Sequence, residues 1–451
     1  MLTTDELREK AKSGEIDTVL VCFPDLFGRL LGKRASVHFF LESVIEETHA
    51  CDYLLACDMD MEPVPGYAAA SWDQGYGDFV LRPDMNTLRQ CSWLEGTALV
   101  LADVTDEEGN DLPHAPRSVL KRQLARLDAQ GWRAMMGSEL EFYVFDDDYR
   151  TARDKDYTGL EHAGWYIQDY HIFQTTKEEP LIRAIRRHMN ASGVPVEVSK
   201  GEFGPGQEEI NLKFAEALEM ADRHTIYKNA AKEIGHLHGC ALTFMAKYAF
   251  EHAGSSFHLH SSLWDKENGT ALFPDENDPQ GMSRLFKHYL AGQLALFREM
   301  TLFCAPFVNS FKRYQAASFA PTKAAWSFDN RTAGFRIIGH GKGRRVENRI
   351  PGADANPYLA YAATIAAGLY GIEYELTLAE AFSGNAYEAP DVPDVPKTLR
   401  EAIEALDNSK VMREALGDDV VDHYVHTGRW EQYEYDRRVT DWERQRLFER
   451  C

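Results

Sequence analysis

Arg345, Glu347 and Arg349 alternate in the run Arg344-Arg345-Val346-Glu347-Asn348-Arg349-Ile350-Pro351, so on an extended strand all three point to one face. The same period of two recurs upstream. Glu139 and Glu141 alternate with Leu140 and Phe142, Gln207 and Glu209 with Asn211, and His258 and His260 with Ser262. A chain patterned this way carries ionisable side chains on strand faces. Guanidinium forks fixed beside a carboxylate suit a site that clamps phosphate and carboxylate together, and hence ATP-driven activation of an acid. Each pattern also has a plain alternative: an exposed strand face for the glutamate pair, a charged loop around Gln207, and hydrogen-bonded core histidines at 258 and 260.

At 451 residues the chain has room for two or three domains, or for one large domain with an appendage. Asp17 to Cys22 and Gly28 to Val37 read as strands of a small sheet, with a helix near Phe39 to Glu47. Trp72 to Asp78 is turn-rich, and a strand resumes over Thr97 to Val104. The polar stretch Asp106 to Leu112, with Pro113 and Pro116, marks a boundary. Beyond it, Arg117 to Gln130 has Val119, Leu120, Leu124 and Leu127 at helical spacing. Strands then alternate with long helices such as Pro180 to Met189 and Ala215 to Leu237, and Pro390, Pro393 and Pro396 precede a C-terminal helical section. The reading is an α+β chain: a small N-terminal sheet domain over residues 1–108 and a large mixed domain over 109–451.

A net charge of −22 argues against a nucleic-acid surface or an anionic-membrane binder. The seven cysteines are scattered, with no Cys-x-x-Cys pair, which points to a reducing cytoplasm. Met1 to Glu6 reads as a helix start, with Thr3 and Glu6 at capping-box spacing, rather than as a signal peptide. The longest uncharged run, Pro357 to Ile372, is shorter than the roughly 20 residues of a membrane span and fits a closely packed core helix.

The chemistry emerges from the patterns taken together. Five carboxylates (Glu139, Glu141, Glu202, Glu209 and Glu347) and one imidazole (His258) are what a pair of hard divalent cations needs. Oxygen-rich ligation suits Mg²⁺ or Mn²⁺, and phosphoryl transfer uses such ions to neutralise developing charge.

These pieces, in this order, resemble the glutamine synthetase family over nearly the whole chain. The matches are Glu139-Leu140-Glu141, Gly206-Gln207-Glu208-Glu209, Gly254-Ser255 leading to His258-Leu259-His260-x-Ser262, and Asn309-Ser310-x-Lys312-Arg313. They continue with Asn330-Arg331, Arg345-x-Glu347-x-Arg349 and Ala355-Asn356-Pro357-Tyr358. The resemblance implies a β-grasp N-terminal domain, a catalytic domain related to guanido kinases, and homo-oligomeric stacked rings, decameric or dodecameric, with active sites between adjacent subunits. It implies that Glu141, Glu202 and Glu209 hold one metal, and Glu139, His258 and Glu347 the other. Gly254, Arg313 and Arg349 would hold glutamate, with Arg313 and Arg331 counted as catalytic. Glu197, His260, Ser262, Arg331, Arg336, Lys342 and Arg345 would line the ATP site, with Arg331 facing the transferred phosphoryl group.

The sequence departs from ammonium-using members in three places. Asp58-Met59-Asp60-Met61-Glu62-Pro63 stands where they carry Asp-Gly-Ser, Phe319 stands where they carry a flap glutamate before Ala-Pro, and Ala253 replaces a loop asparagine. Free ammonium has no apolar surface for Phe319 to cover, whereas a substituted amine does. The chain therefore reads as a γ-glutamyl-amine ligase, a small amine such as ethanolamine being favoured over ammonium, a polyamine or an aniline. A catalytically inactive homologue is the minor alternative. An alkylamine with a pKa of about 10.4 needs a base, for which Glu202 is the candidate beside Phe319. Tyr387 reads as a packed surface tyrosine near where some family members are modified.

Overall fold

The computed structural model describes residues 1–451, which form two sheets. The first holds β1 (Thr18–Pro24), β2 (Leu30–Ser36), β3 (Thr48–Cys51), β4 (Asp78–Pro83), β5 (Arg89–Gln90) and β6 (Thr97–Thr105). Its order is β2-β1-β6-β4-β3, with β5 on β6, and only the β1–β6 pair is parallel. The tight β1–β2 turn is held by Asp25, whose Oδ1 accepts from the backbone N–H groups of Phe27 and Arg29 at 3.0 and 2.8 Å. The expected helix over Phe39 to Glu47 is not an α-helix. Val37–Phe39 forms one α-turn and Phe40–Val44 winds as a π-helix. Phe40 and Val44, four residues apart, are both buried in it.

The second sheet is built around the fourteen-residue β7 (Trp132–Phe145). It also holds β8 (Val196–Gly201), β9 (Gln207–Leu212), β10 (Ala215–Glu216), β11 (Ala241–Thr243), β12 (Phe257–Asp265), β13 (Trp326–Phe328), β14 (Phe335–Ile338) and β15 (Arg345–Asn348). The order is β13-β14-β15-β12-β7-β9-β8, with β10 and β11 also on β7. Register brings distant segments face to face. Glu139 lies opposite both Asn211 and His258, Glu141 opposite Glu209, and Glu347 opposite both His260 and Arg336. Directly opposed side chains start about 5 Å apart at Cβ, so pairing alone gathers these groups.

Helices pack against these sheets. Pro116–Asp128, Glu179–Ala191 and Ala217–Leu237 agree with the sequence periodicity to within a few residues, and the capping box of Thr3 and Glu6 starts Thr4–Ser13. The uncharged run forms the buried helix Pro357–Glu373 against Arg284–Ala295. A Cβ on Gly292 would sit 2.0 Å from Ala367 O and one on Gly371 2.1 Å from His288 O, so only glycines permit this approach. Four helices between Leu399 and Leu447 follow the prolines. All seven cysteines are free thiols, and no helix is long and apolar enough to cross a membrane.

Candidate active site

A cavity of about 400 Å³ opens over the Glu139–Glu141 face of β7. Six carboxylates line it: Glu139, Glu141, Asp169, Glu202, Glu209 and Glu347. Five are the glutamates expected as metal ligands, and His258, Gly254, Arg331, Arg336, Arg349 and Phe319 share the wall. A second cavity of about 300 Å³ backs onto it, lined by Glu197, His260, Ser262, Lys342 and Arg345. Glu139 and Asn211 line both. The alternation on β12 therefore runs across two chambers, with His258 in one and His260 and Ser262 in the other. The same is true of β15, where Arg345 faces the second chamber and Glu347 the first.

Two groups of side chains could hold a metal ion. Ligand atoms of Glu139, His258 and Glu347 all lie within 4.8 Å of one another, as do those of Glu141, Glu209 and His258. The donor set fits Mg²⁺ or Mn²⁺: carboxylate oxygens with one imidazole, whose Nε2 is buried without a hydrogen-bond partner. His258 Nδ1 lies 3.3 Å from Glu139 Oε2 and 3.6 Å from Glu347 Oε1. Glu202 lines the same cavity but belongs to neither group. Lys200, which faces Glu209 across the β8–β9 pair, draws the Glu202 carboxylate into an ion pair instead.

Electrostatics divide the first cavity. Burial opposes the charge of Glu347, but Arg349 and His258 outweigh it and hold the carboxyl down at about 2. Arg349 Nη1 is 2.5 Å from its Oε1, and Arg336 Nη1 donates to its Oε2 at 2.9 Å. Burial likewise opposes Glu139, yet His260 and His258 bring its carboxyl well below the usual range. The other half sets one ammonium, that of Lys200, against the three carboxylates of Glu141, Glu202 and Glu209. Burial and Glu202 push Glu141 up to about 8 despite the Ser256 N–H at 2.8 Å, and burial and Glu202 also raise Glu209 well above its ordinary value. Burial lowers Lys200, but Glu209 and Glu202 outweigh it, so its ammonium is strongly retained. A cation is what this half is short of.

Arg313 departs from the sequence reading. It is 1 % exposed and does not line the cavity. Its Nη1 donates to Ser256 Oγ at 3.2 Å, and its Nη2 to the carbonyls of Arg349, at 3.2 Å, and Ile350. A Cβ on Gly254 would stand 2.4 Å from Arg313 Cγ. Arg313 thus braces the Gly254–Ser256 and Arg349–Ile350 segments from behind through its two Nη groups, while its Nε is buried without a hydrogen-bond partner.

The mouth of the cavity sets Phe319, singled out in the sequence, beside Phe203, Asp169 and Tyr170, which sequence reasoning missed. Phe319, 52 % exposed, sits at φ +59°, and its carbonyl accepts from Arg349 Nη2 at 3.2 Å. Phe203 meets it edge to face, with ring centroids 5.7 Å apart. Tyr170 also lines the cavity and lies 4.5 Å from Lys200 Nζ. Phe203 could have been found, since it follows Glu202 directly. Asp169 and Tyr170 lie on a loop with no periodic signal. Tyr387 is half-buried in the short turn Ala386–Glu388.

Residues 113–447 match the family described as glutamine synthetase, catalytic domain. A gamma-glutamylethanolamide synthetase of Streptomyces coelicolor is 50 % identical over 450 residues, covering 100 % of this chain and 96 % of that one. A glutamate–isopropylamine ligase of a Pseudomonas species is 35 % identical, covering 97 % of this chain and 96 % of its own. A solved structure described as a GmaS–ADP complex superposes with a TM-score of 0.86 at 27 % identity, covering 98 % of this chain and 99 % of that one.

Proposed function

The chain belongs to the glutamine synthetase family, and from that premise we propose that it is an ATP-dependent ligase joining the γ-carboxylate of L-glutamate to a small primary amine, ethanolamine being favoured. The observation that carries this reading is a phosphate- and carboxylate-binding cavity whose mouth is aromatic. Phe203 and Phe319 stand there, together with 50 % identity to a gamma-glutamylethanolamide synthetase.

In this reading the second chamber takes ATP, through Glu197, His260, Ser262, Lys342 and Arg345, and the first takes glutamate and the amine. Arg349 and Gly254 orient glutamate, with Arg313 positioning both from behind. The γ-carboxylate attacks the terminal phosphorus of ATP, the bond to ADP breaks, and γ-glutamyl phosphate forms. The amine nitrogen then attacks the acyl carbon, a proton leaves it for Glu202, and the C–O bond to phosphate breaks. Phosphorylation matters because oxide is a poor leaving group from a carboxylate. Glu139, His258 and Glu347, and Glu141 with Glu209, would hold divalent cations, which would supply neutralisation of phosphate charge. Arg331 and Arg336 add fixed guanidinium charge at the same wall. Cytoplasmic location and assembly into stacked rings complete the reading.

The test is ATP consumption with glutamate and a panel of ammonium, methylamine, ethanolamine, putrescine, spermine and aniline. Ethanolamine is expected to give the highest kcat/KM; a maximum for ammonium overturns the assignment. Phe319→Glu is expected to lower the kcat/KM ratio of ethanolamine to ammonium by about tenfold, or about 1.4 kcal/mol, which is roughly what covering two methylene groups contributes. An unchanged ratio would dissociate this position from acceptor choice.

A further inference from the structure

Five of the six carboxylates in the first cavity have roles or partners already described, and Asp169 has neither. Glu139 is engaged by His258 and His260, Glu347 by Arg349 and Arg336, Glu141 by the Ser256 N–H, and Glu202 by Lys200. Glu209 belongs to a candidate metal group. Asp169 is an exposed residue on the wall of the same cavity, and its carboxylate makes no ion pair and accepts no hydrogen bond within the chain.

Its backbone is tied in place. Asp169 N–H donates to Glu202 O at 2.9 Å and Tyr170 N–H to Gly201 O at 3.3 Å, fastening the loop onto the segment that carries Glu202 and Phe203. Both residues have positive φ, +25° at Asp169 and +67° at Tyr170. Left-handed backbone at two consecutive residues with side chains is strained, and such strain persists only where the surroundings impose it. The loop so fastened puts Asp169 on one cavity wall with Glu202, Phe203 and Phe319.

We propose that Asp169 is the residue that receives the ammonium group of the acceptor amine, with Phe203 and Phe319 covering its carbon chain. This rests on the ligase reading above. Phe319 stands where ammonium-using relatives carry an acidic flap residue, yet an alkylamine arrives mostly protonated. Asp169 supplies the missing negative charge from a different part of the chain. The amine binds as the cation beside Asp169, loses one proton to Glu202 and becomes the nucleophile. Phe203, flanking Glu202 in sequence, accounts for a preference for carbon-bearing amines over bare ammonium.

The test compares wild type with Asp169→Asn, Asp169→Glu and Phe203→Ala, using ethanolamine as a cationic acceptor and aniline as one uncharged at neutral pH. For Asp169→Asn the ratio of kcat/KM for ethanolamine to that for aniline is expected to fall about tenfold or more, the worth of one charge-assisted hydrogen bond. The KM values for ATP and glutamate should hold. Asp169→Glu should keep the ethanolamine preference, and Phe203→Ala should narrow the ethanolamine-to-ammonium ratio. An Asp169→Asn ratio equal to wild type overturns the proposal. If Asp169→Asn is inactive with both acceptors, loss of the preference in Asp169→Glu overturns it equally. A wild-type enzyme that uses no amine refutes the ligase reading instead, a separate outcome.

Discussion

Glu139→Gln is expected to lower amide synthesis by about 10³-fold or more, equivalent to about 4 kcal/mol in the barrier. Glu139 is one of two residues lining both chambers, the other being Asn211. His260 Nε2 lies 2.9 Å from its Oε1 and His258 Nδ1 3.3 Å from its Oε2. A carboxylate held well below its usual range stays anionic at every working pH, so glutamine removes a full charge while keeping the shape. The variant is also expected to lose the rise in melting temperature that Mn²⁺ gives the wild-type protein, a readout independent of turnover. Glutamine at this position leaves the fold intact because the side chain is partly exposed. Glu347→Ala differs in this respect. It would strip both Arg336 and Arg349 of their shared partner in a fully buried spot, so activity and stability should fall together. Glu139→Gln activity within tenfold of wild type, with the Mn²⁺ shift preserved, would remove this glutamate from the cation site.

The alternating segments were legible because strand period is two: Glu139 and Glu141, Gln207, Glu209 and Asn211, and His258 all face the first cavity. Their mutual placement was legible only through resemblance, since register between strands separated by scores of residues leaves no local trace. Local pattern also could not assign side-chain partners. Glu202 was expected on a metal, and the ion pair it makes with Lys200, two residues before it, was not read from the sequence. Arg313 was expected on glutamate, and the hydrogen bonds its fork makes to the carbonyls of Arg349 and Ile350 and to the Ser256 hydroxyl were not read from the sequence. The turn from Val37 through Val44 looked helical because its apolar spacing is; the π winding depends on what Phe40 packs against. Asp169 gave no signal at all, since a loop aspartate acquires meaning only once the strand it docks on is known.

Arg117→Ala is expected to lower the unfolding free energy by about 3–5 kcal/mol, the largest stability effect anticipated in the chain. Arg117 is 2 % exposed and joins three aspartates from separate elements. It grips Asp222 on the helix Ala217–Leu237 through Nε at 3.0 Å and Nη2 at 2.9 Å, and reaches Asp84 at 3.0 Å and Asp103 on β6. Tyr358 closes the cluster, donating to Asp222 Oδ1 at 2.6 Å. The first sheet, the long helix beneath β7 and the start of the buried helix Pro357–Glu373 therefore share one guanidinium. Alanine leaves Asp222 buried as an uncompensated charge, and that desolvation outweighs anything gained by removing the arginine. The pH dependence follows from Asp84: burial opposes its ionisation, but Arg117 prevails and lowers its pKa. A depressed folded pKa contributes stability present above the unfolded value, about 3.9, and lost as pH falls through the folded one. The gap between wild type and variant should be full at neutral pH and narrow below about pH 4. Denaturant midpoints measured across that range check it, and coinciding midpoints at neutral pH would show that the three aspartates hold the two sheets together without the arginine.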